Sequence, residues 1–174
     1  IESAHLVGHS MGGAVSLMLA RRDPARVRSL SLIGSAGLGE EINTGYIEGF
    51  VSAANRNALK PLLGDLFADA SLVTRQLVDD LLKYKRLEGV GAALGTLSGN
   101  LFANGRQNSV MADSLSSLGK PVLVIWGEED RIIPVAHAQA VSGRVQVEVF
   151  GNRGHMVQME AANDVNRAIA RFVG

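Results

Sequence analysis

Ser10 sits in the run Val7-Gly8-His9-Ser10-Met11-Gly12-Gly13, which has the pattern G-x-S-x-G. A serine hydroxyl is a weak nucleophile. It attacks a carbonyl only with a base beside it and donors facing the oxyanion that forms. A sharp strand-to-helix turn meets part of that need. It lifts the serine oxygen clear of the sheet and aims the free N–H groups of a helix start at the reacting carbonyl. The flanks of Ser10 suit such a turn: residues 4–7 read as an apolar strand end, and Met11 to about Arg22 reads as a helix. Gly8, Gly12 and Gly13 surround the serine where side chains would collide with neighbouring strands. The same letters could spell a glycine-rich turn carrying a solvated serine, and the chain's 20 glycines raise that chance. The strand before and the helix after argue against it.

A base and a group to orient it follow in order. Asp130 lies in the loop Gly127-Glu128-Glu129-Asp130 after the apolar run 121–126, and His155 ends Gly151-Asn152-Arg153-Gly154-His155 after the alternating run 145–149. Each of Ser10, Asp130 and His155 therefore lies just past the C-terminal end of a predicted strand. Parallel strands gather those ends on one side of a sheet, so residues distant in sequence converge. His155 would take the proton from Ser10 and return it to the leaving group. Asp130 would hold the imidazole tautomer and stabilise the imidazolium, and the Met11 backbone N–H would face the oxyanion. Each role has a plainer rival. His155 could be an ordinary loop histidine, and Glu128 and Glu129 share the Asp130 loop, where they read as solvated charges. His9 reads as a pocket wall or turn support, His5 as a packed strand histidine, and His137 as a surface helix residue. Met156 and Met159 read as core filler. The four histidines do not cluster, and no metal site is expected.

The elements that must position these residues alternate. Strand, helix and the strand Val27–Ile33 make a βαβ unit, so the strands should be parallel. The helix after Ser10 is apolar on nearly every side and is expected to be buried, like the strand end before it. Residues 121–126 are continuously apolar and suit a strand covered on both faces, whereas the alternation over 145–149 suits a half-exposed strand near a sheet edge. Helices are expected over about 135–142 and 160–173. Between the second and third strands no strand pattern is found. Helical periodicity instead runs over about 44–57, 58–67, 71–87 and 89–100, and weakly over 106–118. The reading is an α/β core over 1–38 and 119–174 with a helical cap over 39–118, set over the strand C-termini.

Seventeen basic residues balance seventeen acidic ones, which gives no stripe for nucleic acid. No apolar run is long enough to span a membrane. The chain has no cysteine, so thiolate chemistry and disulfides are excluded, and a reducing cytoplasm is the expected setting.

The segments GHSMGG, VLVIWGEEDRIIP and GHMVQMEAANDVNRAI resemble the α/β-hydrolase superfamily over the entire chain, corresponding to the back half of that mostly parallel sheet with flanking helices. The cap segments SLSLIGSAGLGEEIN, GFVSAANRNALKPLL, VTRQLVDDLLKYKRLEGV and LFANGRQ resemble the hydrolase-like region of the dihydrolipoamide acetyltransferase components of acetoin dehydrogenase systems. That resemblance implies acetyl transfer with lipoamide and coenzyme A as co-substrates and no cofactor bound by this segment. It also implies other components of a 2-oxo-acid-dehydrogenase-like complex as partners, and it keeps Ser10, Asp130 and His155. Hydrolysis of an ester, thioester or carbon–carbon bond by the same residues, and a non-catalytic scaffold role, stay open beside it. His9, Tyr46, Phe50, Asn55 and Phe102 are the expected pocket residues. The loop giving a second oxyanion N–H would lie ahead of Ile1, and this segment alone is expected to be poorly stable or to associate.

Overall fold

In chain order the elements are β1 (Ala4–His9), α1 (Met11–Arg22), β2 (Val27–Ile33), α2 (Thr44–Ser52), α3 (Arg56–Gly64), α4 (Arg75–Lys85), α5 (Val90–Leu101), α6 (Ser114–Ser117), β3 (Val122–Gly127), α7 (Ala136–Gln139), β4 (Val145–Phe150), α8 (Val157–Glu160) and α9 (Ala162–Val173). They come from a computed structural model that describes residues 1–102 and 104–174. Apart from Arg28, every residue of β2 and β3 is buried. Strands of that kind must be covered on both faces, and they form the centre of a four-stranded parallel sheet ordered β1-β2-β3-β4.

Two apolar layers cover the centre. On one face Leu17 and Ala20 of α1 pack with Leu30, Leu32, Val124 and Trp126. On the other, Val165 and Ala168 of α9 pack on Ile33, Leu123 and Ile125. Each fully buried Val, Leu or Ile among them contributes about 1.5–3 kcal/mol relative to exposure. The register sets where the loops emerge. His9 pairs with Ile33, Ile33 with Ile125, and Gly127 with Phe150, so the segments after all four strands leave the sheet along one rim.

α2 to α5 lie between β2 and β3 and include an apolar cluster of their own, with Leu59, Leu63, Phe67, Val78 and Leu82 at its centre and Met156 leaning in from the core side. Polar contacts tie this cap to the sheet rim. The Asn43 side chain accepts the Tyr46 N–H at the start of α2 and donates to the Arg131 carbonyl, while its backbone N–H reaches the Ile132 carbonyl.

Several sequence expectations change. α1 is not buried all round: Met11, Val15, Met18 and Leu19 are 42–59% exposed, because only one side meets the sheet. The first three border a cavity. β1 is an edge strand among the described residues, and Val7 on it is 52% exposed. The cap helices are shorter than their periodic patterns. Asn55 and Thr74 restart the chain as N-caps of α3 and α4, and Gly89, at φ 80°, separates α4 from α5. The weak pattern over 106–118 yields only α6, and the expected helix over 135–142 only α7. The C-terminal helix is broken at Ala161, where φ −133° and ψ 42° separate α8 from α9.

Candidate active site

The turn at Ser10 is strained. Its backbone has φ 53° and ψ −122°, a region that non-glycine residues avoid and hold only when neighbours over-determine it. The Ser10 N–H donates to the Ile33 carbonyl at 2.9 Å, and the Ser10 carbonyl accepts the N–H groups of Gly13 and Ala36, each at 3.0 Å. β2 and the start of α1 thus grip the residue from both sides. A Cβ at Gly8 would lie 2.4 Å from the Gly12 carbonyl oxygen, so the strand and the helix start can approach this closely only with glycine at that position. At Gly12 there is open space, and the crowding expected there is absent. The Met11 N–H makes no hydrogen bond among the described residues and stands at a helix start, where backbone donors have no partner within the helix. The Ser10 hydroxyl likewise makes no hydrogen bond among the described residues, and Ser10 borders the cavity.

The Asp130–His155 pair is saturated by contrast. His155 Nδ1 donates to Asp130 Oδ2 at 2.8 Å, and the two side chains are 3% and 0% exposed. Asp130 Oδ1 accepts the N–H groups of Ile132 and Ile133 at 2.8 and 2.9 Å. A buried carboxylate without such donors would be costly; here three donors hold it and fix its orientation. The pair leaves His155 Nε2 as the nitrogen able to accept a proton. Glu128 and Glu129 are exposed on the same loop.

Three residues that sequence reasoning did not place in this role support the histidine. Gly34, at φ 46°, passes beside the pair, and a Cβ there would lie 3.3 Å from His155 Nδ1 and 3.4 Å from Asp130 Oδ2. Glu160 binds the His155 loop to the cap. One of its oxygens accepts the Gly154 N–H at 2.6 Å, and the other accepts those of Ala68 at 2.9 Å and Asp69 at 3.2 Å. His9 is the third. Its Nε2 donates to the His155 carbonyl at 2.9 Å, with the ring centroids 4.7 Å apart. Burial pushes the His9 imidazole down to about 4, with the adjacent His155 adding to the effect, so His9 is neutral at pH 7. A glutamate five residues after a histidine and a histidine before the serine were visible in the sequence, but nothing in their spacing revealed which backbone groups they would meet.

The cavity beside Ser10 has a volume of about 360 Å³ and lies between α1 and the cap helices α2 and α5. Phe50 and Phe102 line it, while the other expected pocket residues lie elsewhere. Tyr46 stacks behind Phe50 at 5.9 Å, and burial, with the Asp65 charge, raises its phenol to about 12. Asn55 is bound to the Ala58 N–H as a helix cap and borders a separate polar cleft with Arg56 and Asp79. His9 faces the His155 loop. His137 is not a surface residue: it is 5% exposed, edge-on to Trp126, with Nε2 bonded to Glu41 at the base of the cap at 2.8 Å. His5 is exposed on the edge strand and meets Ser29. Met159 is 52% exposed rather than core filler. Among the described residues no group of three or more His, Cys, Asp or Glu could hold a metal ion, and no helix is long and apolar enough to cross a membrane.

Comparison with known proteins places this geometry in context. The family described as alpha/beta hydrolase fold matches residues 1–162. The dihydrolipoyllysine-residue acetyltransferase components of the acetoin cleaving systems of Cupriavidus necator and Pseudomonas putida are 52% and 55% identical over 174 residues, covering 100% and 99% of this chain. The chain spans 46% of each of those relatives. A meta-cleavage product hydrolase from Pseudomonas fluorescens superposes with a TM-score of 0.86 at 26% identity, covering 99% of this chain and 65% of that one.

Proposed function

The chain belongs to the α/β-hydrolase fold family, and from that premise we propose that it transfers acyl groups through Ser10 as part of an acetoin-cleaving acetyltransferase component. The observation that carries the reading is a strained serine at the cavity wall, on the same rim as a buried histidine already oriented by a carboxylate. Asp130 keeps the proton on His155 Nδ1, so Nε2 is free to accept one. In this reading Nε2 draws off the Ser10 hydroxyl proton as Oγ attacks the thioester carbonyl. The oxyanion meets the Met11 N–H. Collapse breaks the carbon–sulfur bond, and the leaving thiolate takes the proton from His155. A second thiol then gives its proton to His155 and attacks the acyl-serine, releasing Ser10 and a new thioester. In the acetoin setting the donor is acetyl-dihydrolipoamide and the acceptor coenzyme A, within a complex resembling the 2-oxo-acid dehydrogenases. The 52–55% identity across cap and core together favours this assignment over a general hydrolase.

The likeness to a solved hydrolase supports a second reading, in which water replaces the second thiol. Partition of product separates the two. The protein is given acetyl-dihydrolipoamide with and without coenzyme A. Acetyl-coenzyme A formation that is lost in Ser10→Ala is the expected result, whereas free acetate at the same rate in both conditions would replace transfer with hydrolysis. A serine-directed fluorophosphonate that leaves Ser10 unlabelled would favour a scaffold role instead.

A further inference from the structure

The cavity at Ser10 contains no charged side chain. None of its lining residues among those described is Asp, Glu, Lys, Arg or His. Met18, Ile47, Phe50, Leu94 and Leu97 supply apolar walls. The Gln107 amide is already committed: its oxygen accepts the Gly37 N–H at 2.8 Å, and its nitrogen donates to the Glu41 carbonyl at 3.1 Å. Lys85, the cation against Phe50, is held by the carbonyls of Phe50 and Val51 behind that ring. Apart from Ser10, the remaining polar lining is the hydroxyls of Ser98 and Ser109.

From this we infer that the cavity binds an uncharged aliphatic chain of about six carbons joined to the reacting thioester, and that it rejects carboxylates; the inference rests on the Ser10 reading for where the thioester lies. A volume near 360 Å³ has room for roughly a dozen water-sized groups. An acetyl group alone leaves most of it unfilled. Each methylene moved from water onto these walls strengthens binding about fourfold. A carboxylate placed there loses its hydration and gains no partner. The chain can belong to the acyl half of the thioester or to the thiol half, and both present the same chemistry to the walls.

Calorimetric titration of the Ser10→Ala protein, which binds without turnover, tests this with two series of thioesters. One lengthens the acyl group from two to six carbons on a short thiol. The other lengthens the thiol over the same range on an acetyl group. A six-carbon member of each also carries a terminal carboxylate. The expected result is about 250-fold tighter binding of the six-carbon member in one series, which tells which half enters, and about 100-fold weaker binding of its carboxylate. Equal affinity along both series, or a carboxylate that binds as well as its neutral partner, would overturn the assignment. Ser98→Arg, at a side chain that makes no hydrogen bond among the described residues, is expected to restore carboxylate binding at least tenfold. Leu94→Trp is expected to abolish the length preference while sparing the two-carbon ligand. If the pocket shows these preferences but the unmodified protein has no Ser10-dependent turnover, the acyl-transfer reading fails and the pocket assignment stands. Turnover without preference for length or charge sinks the pocket assignment alone.

Discussion

The corner around His155 and the cavity around Ser10 lie on one rim but are built by opposite means. At the corner every position is fixed by directional bonds: Asp130 to three donors, Glu160 to three N–H groups across cap and core, and His9 to the His155 carbonyl. At the cavity the walls are apolar, and Met11, Val15 and Met18 remain substantially exposed. Directional bonds tolerate little displacement without loss, so the corner is geometrically rigid. Apolar contact is non-directional and roughly proportional to area, so the cavity can adapt to what it holds. The contrast teaches that, on the proposed reading, orientation of the base and selection of the substrate are separable and should fail separately.

Asp130→Asn presses hardest on the rigid side. It keeps an acceptor for Ile132 and Ile133 but no longer favours the Nδ1–H tautomer of His155. The expected loss in kcat is about 10⁴-fold with thermal unfolding little changed; a loss of only a few fold would mean that the pair does not orient the base. Leu59→Ala presses on the cap behind the cavity wall, since Leu59 is fully buried in the cap cluster against which Phe50 of that wall packs. Urea unfolding should show a loss of about 2–5 kcal/mol, with turnover per folded molecule nearly kept. Collapse of turnover in the folded fraction would show that the cap and the corner are not separable.

His9 gives a pH-dependent version of the same test. Its folded value, about 4, lies below its unfolded value of 6.5, so between these limits the unfolded chain binds more protons. Stability is therefore full above the unfolded value and falls as pH drops from about 6.5 towards 4, by up to about 3 kcal/mol. His9→Asn, which keeps a donor but does not titrate, should flatten that slope in chemical-denaturation curves; an unchanged slope would assign it to other groups. Glu160→Gln should have the smallest effect. Two of its three bonds can persist through the amide oxygen, and kcat should fall about tenfold with KM unchanged. A change confined to KM would move Glu160 from positioning the histidine to shaping the cap.

Much of this was legible in residue order. The apolar run of β3 could only be a strand covered on both faces, β2 was marked by its place in a βαβ unit, and the alternation of β4 marked an edge. Ser10, Asp130 and His155 could be placed because each follows a strand, and parallel pairing brings such ends to one rim. What stayed hidden depended on partners distant in sequence. The apolar circumference of α1 looked like burial because pattern alone cannot separate a side that meets a sheet from a side that meets a cavity. His137 looked like a surface residue because a four-residue helix has no readable periodicity, and its burial depends on Trp126 and on Glu41 from the cap. Asn55 looked like a pocket residue, yet its side chain is engaged as a helix cap.

The account rests on proton transfer from Ser10 to His155, and an acyl-enzyme trap tests it most directly. The protein is mixed with an acetyl thioester, quenched within its first turnover and digested, and the peptide carrying Ser10 is weighed. The account expects an acetyl group on Ser10 that forms in the unmodified protein and is lost in His155→Gln. An acetyl group on another residue, or one on Ser10 that forms equally fast without His155, would contradict it.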